Sequence, residues 1–152
     1  LNRIAVLVVV LGVLATGCGG DAAGDTRPSA REVTKHLKAS GLPIGKVTTY
    51  SASSDPNDLL GRPNQYVAKA NFRDRRADND GDKEVDAAEG GSVEVFVDEG
   101  AAKTREEYLR TISESGPLFA EYVYRDGLVL LRVSSELTPN HAGAYEEALG
   151  GL

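Results

Sequence analysis

The chain of 152 residues has no methionine, no tryptophan, one cysteine and two histidines, and each shortage removes a class of chemistry. With Cys18 as the only cysteine, no intramolecular disulfide can form and the domain that follows has no cysteine nucleophile. His36 and His141 fall on different expected helices, so no histidine pair stands at metal-ligand spacing. There is no Gly-x-Ser-x-Gly elbow and no phosphate-cradling glycine loop. The longest apolar run, Ile4 to Thr16, is well short of the roughly 20 residues that span a bilayer as a helix. The net charge of −6 comes without a basic stripe, which removes the counterion-release term that nucleic-acid binding depends on. Methionine is missing even at position 1, where Leu1 is expected to stand for an initiator read from a leucine-type codon, as bacteria do.

What is present begins with Arg3, the apolar run and the segment Leu14-Ala15-Thr16-Gly17-Cys18, which together have the charged front, apolar middle and small-residue end of an exported precursor. The residues before Cys18 resemble the lipobox of bacterial lipoproteins, with Ala15 where leucine is the usual choice. The resemblance implies a diacylglyceryl thioether on Cys18, cleavage between Gly17 and Cys18, and a location on the extracytoplasmic face of the cell membrane. Two or three acyl chains anchor stably where one binds marginally, because burial is worth about 0.8 kcal/mol per methylene. The expected organisation is a signal peptide over 1–17, a lipidated flexible tether over 18–28 and a single domain over 29–150.

Within that domain, Ser29 to Glu32 has capping-box spacing, Val33 and Leu37 make an apolar stripe, and Gly41 ends the first helix. A strand is expected from Lys46 to Tyr50. The polar, proline-punctuated stretch Ser51 to Asn64 follows, with Leu59-Leu60 drawn onto the core. Tyr66, Ala68, Ala70 and Phe72 are placed on one face of a second strand, and Val93, Val95 and Val97 on one face of a third that Gly90-Gly91 introduces. Asp98 caps a second helix with Ala101, Tyr108, Leu109 and Ile112 on its stripe and Arg105 along its edge. A hairpin turning on Asp126-Gly127 pairs Tyr124 with Val129, Val123 with Leu130 and Glu121 with Arg132. One of its faces carries Ala120, Tyr122, Tyr124, Val129, Leu131 and Val133. Thr138-Pro139 opens a last helix. The order predicts an α+β fold: a mainly antiparallel sheet of about five strands with about three helices packed on one face.

Leu59-Leu60-Gly61-Arg62-Pro63, the Gly91 to Phe96 strand, the tyrosine-rich hairpin and Leu137-Thr138-Pro139 together resemble small actinobacterial lipoproteins without assigned chemistry. That resemblance implies an envelope location and a sheet-plus-helices domain, and brings no catalytic residues. The run Asp78 to Glu89 resembles an EF-hand loop, with oxygen ligands at Asp78, Asp80, Asp82, Asp86 and Glu89. Lys83, however, stands where glycine normally makes the sharp turn. The run carries a net charge of −5, nearly the whole charge of the chain, and it reads as a solvated acidic loop in preference to a calcium site. Glu106-Glu107 and Glu146-Glu147 read as solvent faces of helices rather than acid and base. No catalytic, cofactor or metal residue is therefore assigned. The expected function is a non-catalytic envelope binding or interaction module, its partners being the membrane through acyl chains on Cys18 and an envelope protein or ligand; the alternatives are a lipid-anchored enzyme and a calcium-binding surface protein. Cys18→Ala should leave the precursor unlipidated and uncleaved after Gly17, and mass spectrometry of the mature N-terminus checks this directly; a diacylglycerol-modified N-terminus in the variant would refute it.

Overall fold

The computed structural model describes residues 27–77 and 85–152, in the order α1 (Ala30–Ala39), β1 (Ile44–Thr49), β2 (Ala68–Asp74), β3 (Gly90–Val95), α2 (Glu99–Glu114), β4 (Glu121–Asp126), β5 (Val129–Ser134) and α3 (Pro139–Leu149). Cys18, the signal run and positions 78–84 of the acidic run lie outside the described residues. All five strands join one antiparallel sheet in the order β1-β2-β3-β5-β4, so the protein has the α+β class that the pattern of elements predicts.

The three helix starts follow from local chemistry. Ser29 accepts from the Glu32 amide while the Glu32 carboxylate accepts from Ser29, closing the capping box. Asp98 accepts from the Ala101 amide, and Thr138 from the His141 amide with Pro139 at the first helical position. Gly41, at φ +91°, turns the chain out of α1.

The alternation of the strands divides the core into two layers. On one face, Ala70, Phe72, Val93, Val95, Val129, Leu131 and Val133 pack against Val33 and Leu37 of α1 and Ala142, Tyr145 and Leu149 of α3. Phe72 and Tyr145 stack with ring centroids 5.4 Å apart, and the Tyr145 hydroxyl donates to Asp74 at 2.6 Å. On the other face, Val123 and Leu130 meet Ala101, Ala102 and Leu109 of α2, joined by Tyr66 and Phe96. The helices thus lie on both faces, two and one, rather than together on one face. The reason is that β3 is buried along its whole length and cannot leave a side open to water.

Several local expectations change, and Tyr108, expected on the apolar stripe of α2, is 55% exposed. The hairpin turns on Gly127-Leu128, not Asp126-Gly127: Tyr124 pairs with Leu131 and Asp126 with Val129. Gly127 alone of the two takes a positive φ, +50°, as in a type II′ turn with glycine first. The partners are displaced by two residues, which preserves every side chain's face because the pleat repeats every two. Tyr66 precedes β2 and joins the α2 layer, where it meets Phe96 edge-on. Val97 lies beyond the end of β3 and is half exposed. Leu59 and Leu60 do pack on the core as expected.

Gly90 and Gly91 sit inside β3 rather than ahead of it, and close approach explains both. A Cβ on Gly91 would lie 2.4 Å from the Arg132 carbonyl oxygen and 2.5 Å from the Phe72 ring; one on Gly90 would lie 2.3 Å from the Asp74 amide nitrogen. Gly91→Ala should therefore destabilise by about 1–3 kcal/mol through overpacking. Leu131→Ala should cost about 2–5 kcal/mol through the cavity it leaves. Denaturant midpoints at unchanged slope test both values.

Candidate functional site

The second face of the sheet is chemically divided. Toward β4 it is apolar and covered by α2. Toward β2 and β3 it carries Lys69, Asn71, Arg73, Ser92 and Glu94, with Arg132 of β5 beside them. The stretch between β1 and β2 and the 3₁₀ turn Ala87–Glu89 lie over this polar part. Buried charge must be paired to be tolerated, and here it is.

Glu94, next to the last residue of β3, is fully buried. Arg105 reaches down from α2 to grip both carboxylate oxygens through Nε at 2.9 Å and Nη2 at 3.1 Å. Arg132 adds Nη1 at 3.3 Å and binds Glu121 through Nε at 2.8 Å and Nη2 at 2.7 Å. Glu121 and Arg132, expected directly opposite each other, make this contact diagonally, since Glu121 pairs with Ser134 in the ladder. The edge of α2 to which Arg105 was assigned is thus a bridge into the sheet.

A second knot holds the loop. Asp55 accepts from Lys69 Nζ at 2.8 Å, the Tyr66 hydroxyl at 2.7 Å and the amides of Leu59 and Leu60 at 2.9 and 3.0 Å. Burial works against its ionised form, yet Lys69, Tyr66 and the two amides outweigh it and hold the carboxyl well below the usual carboxylate range. Burial, with the Asp55 carboxylate, in turn pushes Tyr66 well above an ordinary phenol. Lys69 Nζ also sits over the rings of Tyr50 and Tyr66 at 5.2 and 5.5 Å.

Above these groups opens a cleft of about 620 Å³ between α2, the turn Ala87–Glu89, the turn Pro117–Phe119 and the end of β5. A smaller chamber of about 240 Å³, lined by Tyr50, Lys69 and Asn71, adjoins it and shares Asn57, Asp86, Ala87 and Arg132 with it. The cleft has an apolar rim open to water: Leu118 is 87% exposed, Phe119 53% and Tyr108 55%. The Arg105 guanidinium lies 5.6 Å from the Tyr108 ring. The arrangement offers oriented N–H donors and apolar surface, while its buried carboxylates are already engaged.

The other residues singled out in the sequence are placed as follows. Glu89, the last oxygen of the EF-hand-like run, is held by Arg73 at 2.6 Å, and Asp86 caps the Ala87–Glu89 turn by accepting from the Ala88 amide at 3.1 Å. Both acids of that run within the described residues thus have structural partners. Glu106 is not a free solvent-face acid, since it bridges Arg110 and Arg125. Glu107, Glu146 and Glu147 are exposed. His36 Nε2 lies 2.9 Å from the Ala148 carbonyl, tying α1 to α3, and His141 stays in the first turn of α3. Glu94, Lys69, Asp55 and Arg132 escaped sequence reasoning as site residues. The pattern carried no signal for Glu94, since alternation sets it opposite Val93 and Val95 as an outward charge, and only the crossing of α2 over that face buries it.

No protein-family model, no curated protein and no solved structure matches the chain. The geometry of the cleft is accordingly the ground for a functional reading.

Two outcomes follow from the pairing. Arg105→Met keeps the aliphatic stem but strips Glu94 of its bidentate partner, and should cost about 3 kcal/mol or more in denaturant unfolding. For Asp55 the folded pKa lies below the unfolded one, so its stabilisation is present above about pH 4 and is lost as pH falls through the folded value. Asp55→Asn should therefore be less stable than wild type at pH 7 and show a shallower loss below about pH 4; parallel acid limbs would refute the assignment.

Proposed function

We propose that the chain is a lipid-anchored envelope protein whose domain is a non-catalytic binding module, held off the extracytoplasmic membrane surface by a tether from Cys18. The observation that carries the binding reading is the cleft of about 620 Å³ with paired charges in its floor and apolar side chains left exposed at its rim. A general acid or base needs a proton or lone pair at its disposal. Glu94 and Glu121 are committed to Arg105 and Arg132, and Tyr66 donates to Asp55. Leu118 and Phe119 contribute little to the core of the described residues, so a bound partner is what would remove them from water. The anchoring part of the reading is supported by the residues that end in Cys18.

The experiment compares wild type with Leu118→Ser/Phe119→Ser and, as a control on another surface, Lys35→Ser/Lys38→Ser, each carried by the full chain in membranes and cross-linked in intact cells. All these positions are exposed, so both variants should unfold within about 0.5 kcal/mol of wild type. The rim variant should lose a cross-linked species that the control retains. Equal recovery of that species from both would refute the assignment of the cleft as the binding site.

A further inference from the structure

The cleft is one part of a longer groove. A hollow of about 300 Å³, lined by Asn64, Gln65, Ala101 and Thr104, meets it at Leu59, Arg105 and Tyr108. Together they follow α2 from Ala101 to Ser113, about 18 Å at the helical rise. Leu59, Leu109 and Ile112 stand in the walls, with Tyr108, Leu118 and Phe119 exposed at the rim. An elongated apolar hollow of this kind fits an amphipathic helix, which satisfies its own backbone and needs side-chain contact only. An extended strand would instead need an open sheet edge, and on edge strand β4 the Val123 carbonyl already accepts from Arg110 at 2.7 Å.

The charge that the groove shows to a partner is negative. Arg105 and Arg132 are largely buried and spent on Glu94 and Glu121, whereas Asp86 and Glu136, on the wall across from α2, are exposed. Four carboxylates therefore stand against two guanidinium groups. A negative rim favours cationic partners and repels anionic lipid headgroups. The direction of the cleft also turns it from the membrane. Arg27 and Pro28, where the chain enters the domain, lie with Val67 and Val95 at one end of β3, while Ala87 and Ala88 line the cleft beside Gly90 at the other. A domain tethered through Arg27 points the cleft outward. A second copy is poorly suited as occupant, because the other exposed large apolar residues, Val47, Val67, Val97 and Leu152, lie on no helix.

We infer that the groove takes a cationic amphipathic helical segment of another envelope protein, its apolar side chains seated against Tyr108, Leu118 and Phe119 and its Lys or Arg side chains toward Asp86 and Glu136. This rests on the reading of the domain as a binding module and names the chemistry of the partner.

The test presents the full chain, held in lipid nanodiscs, to a phage library of random peptides of roughly 12 residues, the length that spans the groove as a helix. Selected sequences are then measured as synthetic peptides by fluorescence anisotropy. They should carry Lys or Arg together with apolar residues at helical spacing. Leu118→Ser/Phe119→Ser should weaken them about thirtyfold or more. Asp86→Asn/Glu136→Gln should weaken them about tenfold and flatten the dependence on salt. Asparagine at 86 keeps an oxygen to cap the Ala87–Glu89 turn, and Glu136 is exposed, so Tm should stay near wild type. Selection of acidic or uncharged peptides, or binding that the charge variant leaves unchanged, would overturn the inference, as would a library that yields no peptide lost in the rim variant. The module reading survives each of these results if the rim variant still loses its cross-linked species in cells. Self-association through the rim, or protection of the rim from hydrogen exchange by the nanodisc bilayer alone, would assign the groove to a second copy or to the membrane and overturn the inference as well.

Discussion

One buried carboxylate organises this domain. Glu94 lies in the central strand β3, which is covered on both faces, and an ionised group in that position is tolerable only when its oxygens are matched by cationic donors. Arg105 supplies two bonds from α2 and Arg132 one from β5, so a single side chain fastens a helix and a hairpin strand to the middle of the sheet. Arg132 passes the constraint on to Glu121 of β4. The neutralisation of Glu94 therefore ties α2 to the hairpin, and α2 and the ends of the hairpin bound the cleft.

The two faces of the sheet divide their tasks. The layer beneath α1 and α3 is almost wholly apolar, and its stability comes from burial and packing of side chains such as Phe72, Leu131 and Tyr145. The opposite layer trades part of that apolar contact for directed polar contacts. Asp55 gathers Lys69, Tyr66 and two backbone amides, which gives a polar, proline-interrupted loop one conformation without a helix or strand of its own. Such a layer holds donors and acceptors in fixed positions near a surface opening, a property suited to recognition.

Features set by contacts a few residues apart were legible in the sequence, and those set by longer-range contacts were less so. Helix starts at Ser29, Asp98 and Thr138 depend on contacts three residues apart and are present as read. The hairpin faces were legible from alternation, whereas the turn was displaced by one position, because Asp-Gly suits a type I′ loop while Gly-Leu also satisfies a loop that needs positive φ at its first residue only. The alternation is blind to a displacement of the partners by two. Tyr66 was assigned to the wrong layer for a similar reason: it continues the period of β2, but the chain leaves the pleat before Ala68 and its hydroxyl is claimed by Asp55. The helix α2 was expected beside the other two, since an amphipathic stripe shows that a helix buries one side and does not say which face of the sheet receives it.

What the sequence determined by itself was the local grammar: the succession of elements, their caps, the inward face of the hairpin and the α+β class, all consequences of periodicities and contacts within a few residues. The tertiary structure alone decided how the charges pair. Glu94 and Arg105 are eleven residues apart, and Glu94 and Arg132 thirty-eight, with nothing in the intervening pattern to match them. Their meeting depends on the strand order β3-β5-β4 and on α2 crossing the second face, both set by the combined burial of the sheet. The cleft is a product of that same arrangement, because its floor, walls and rim come from segments that only the folded chain brings together.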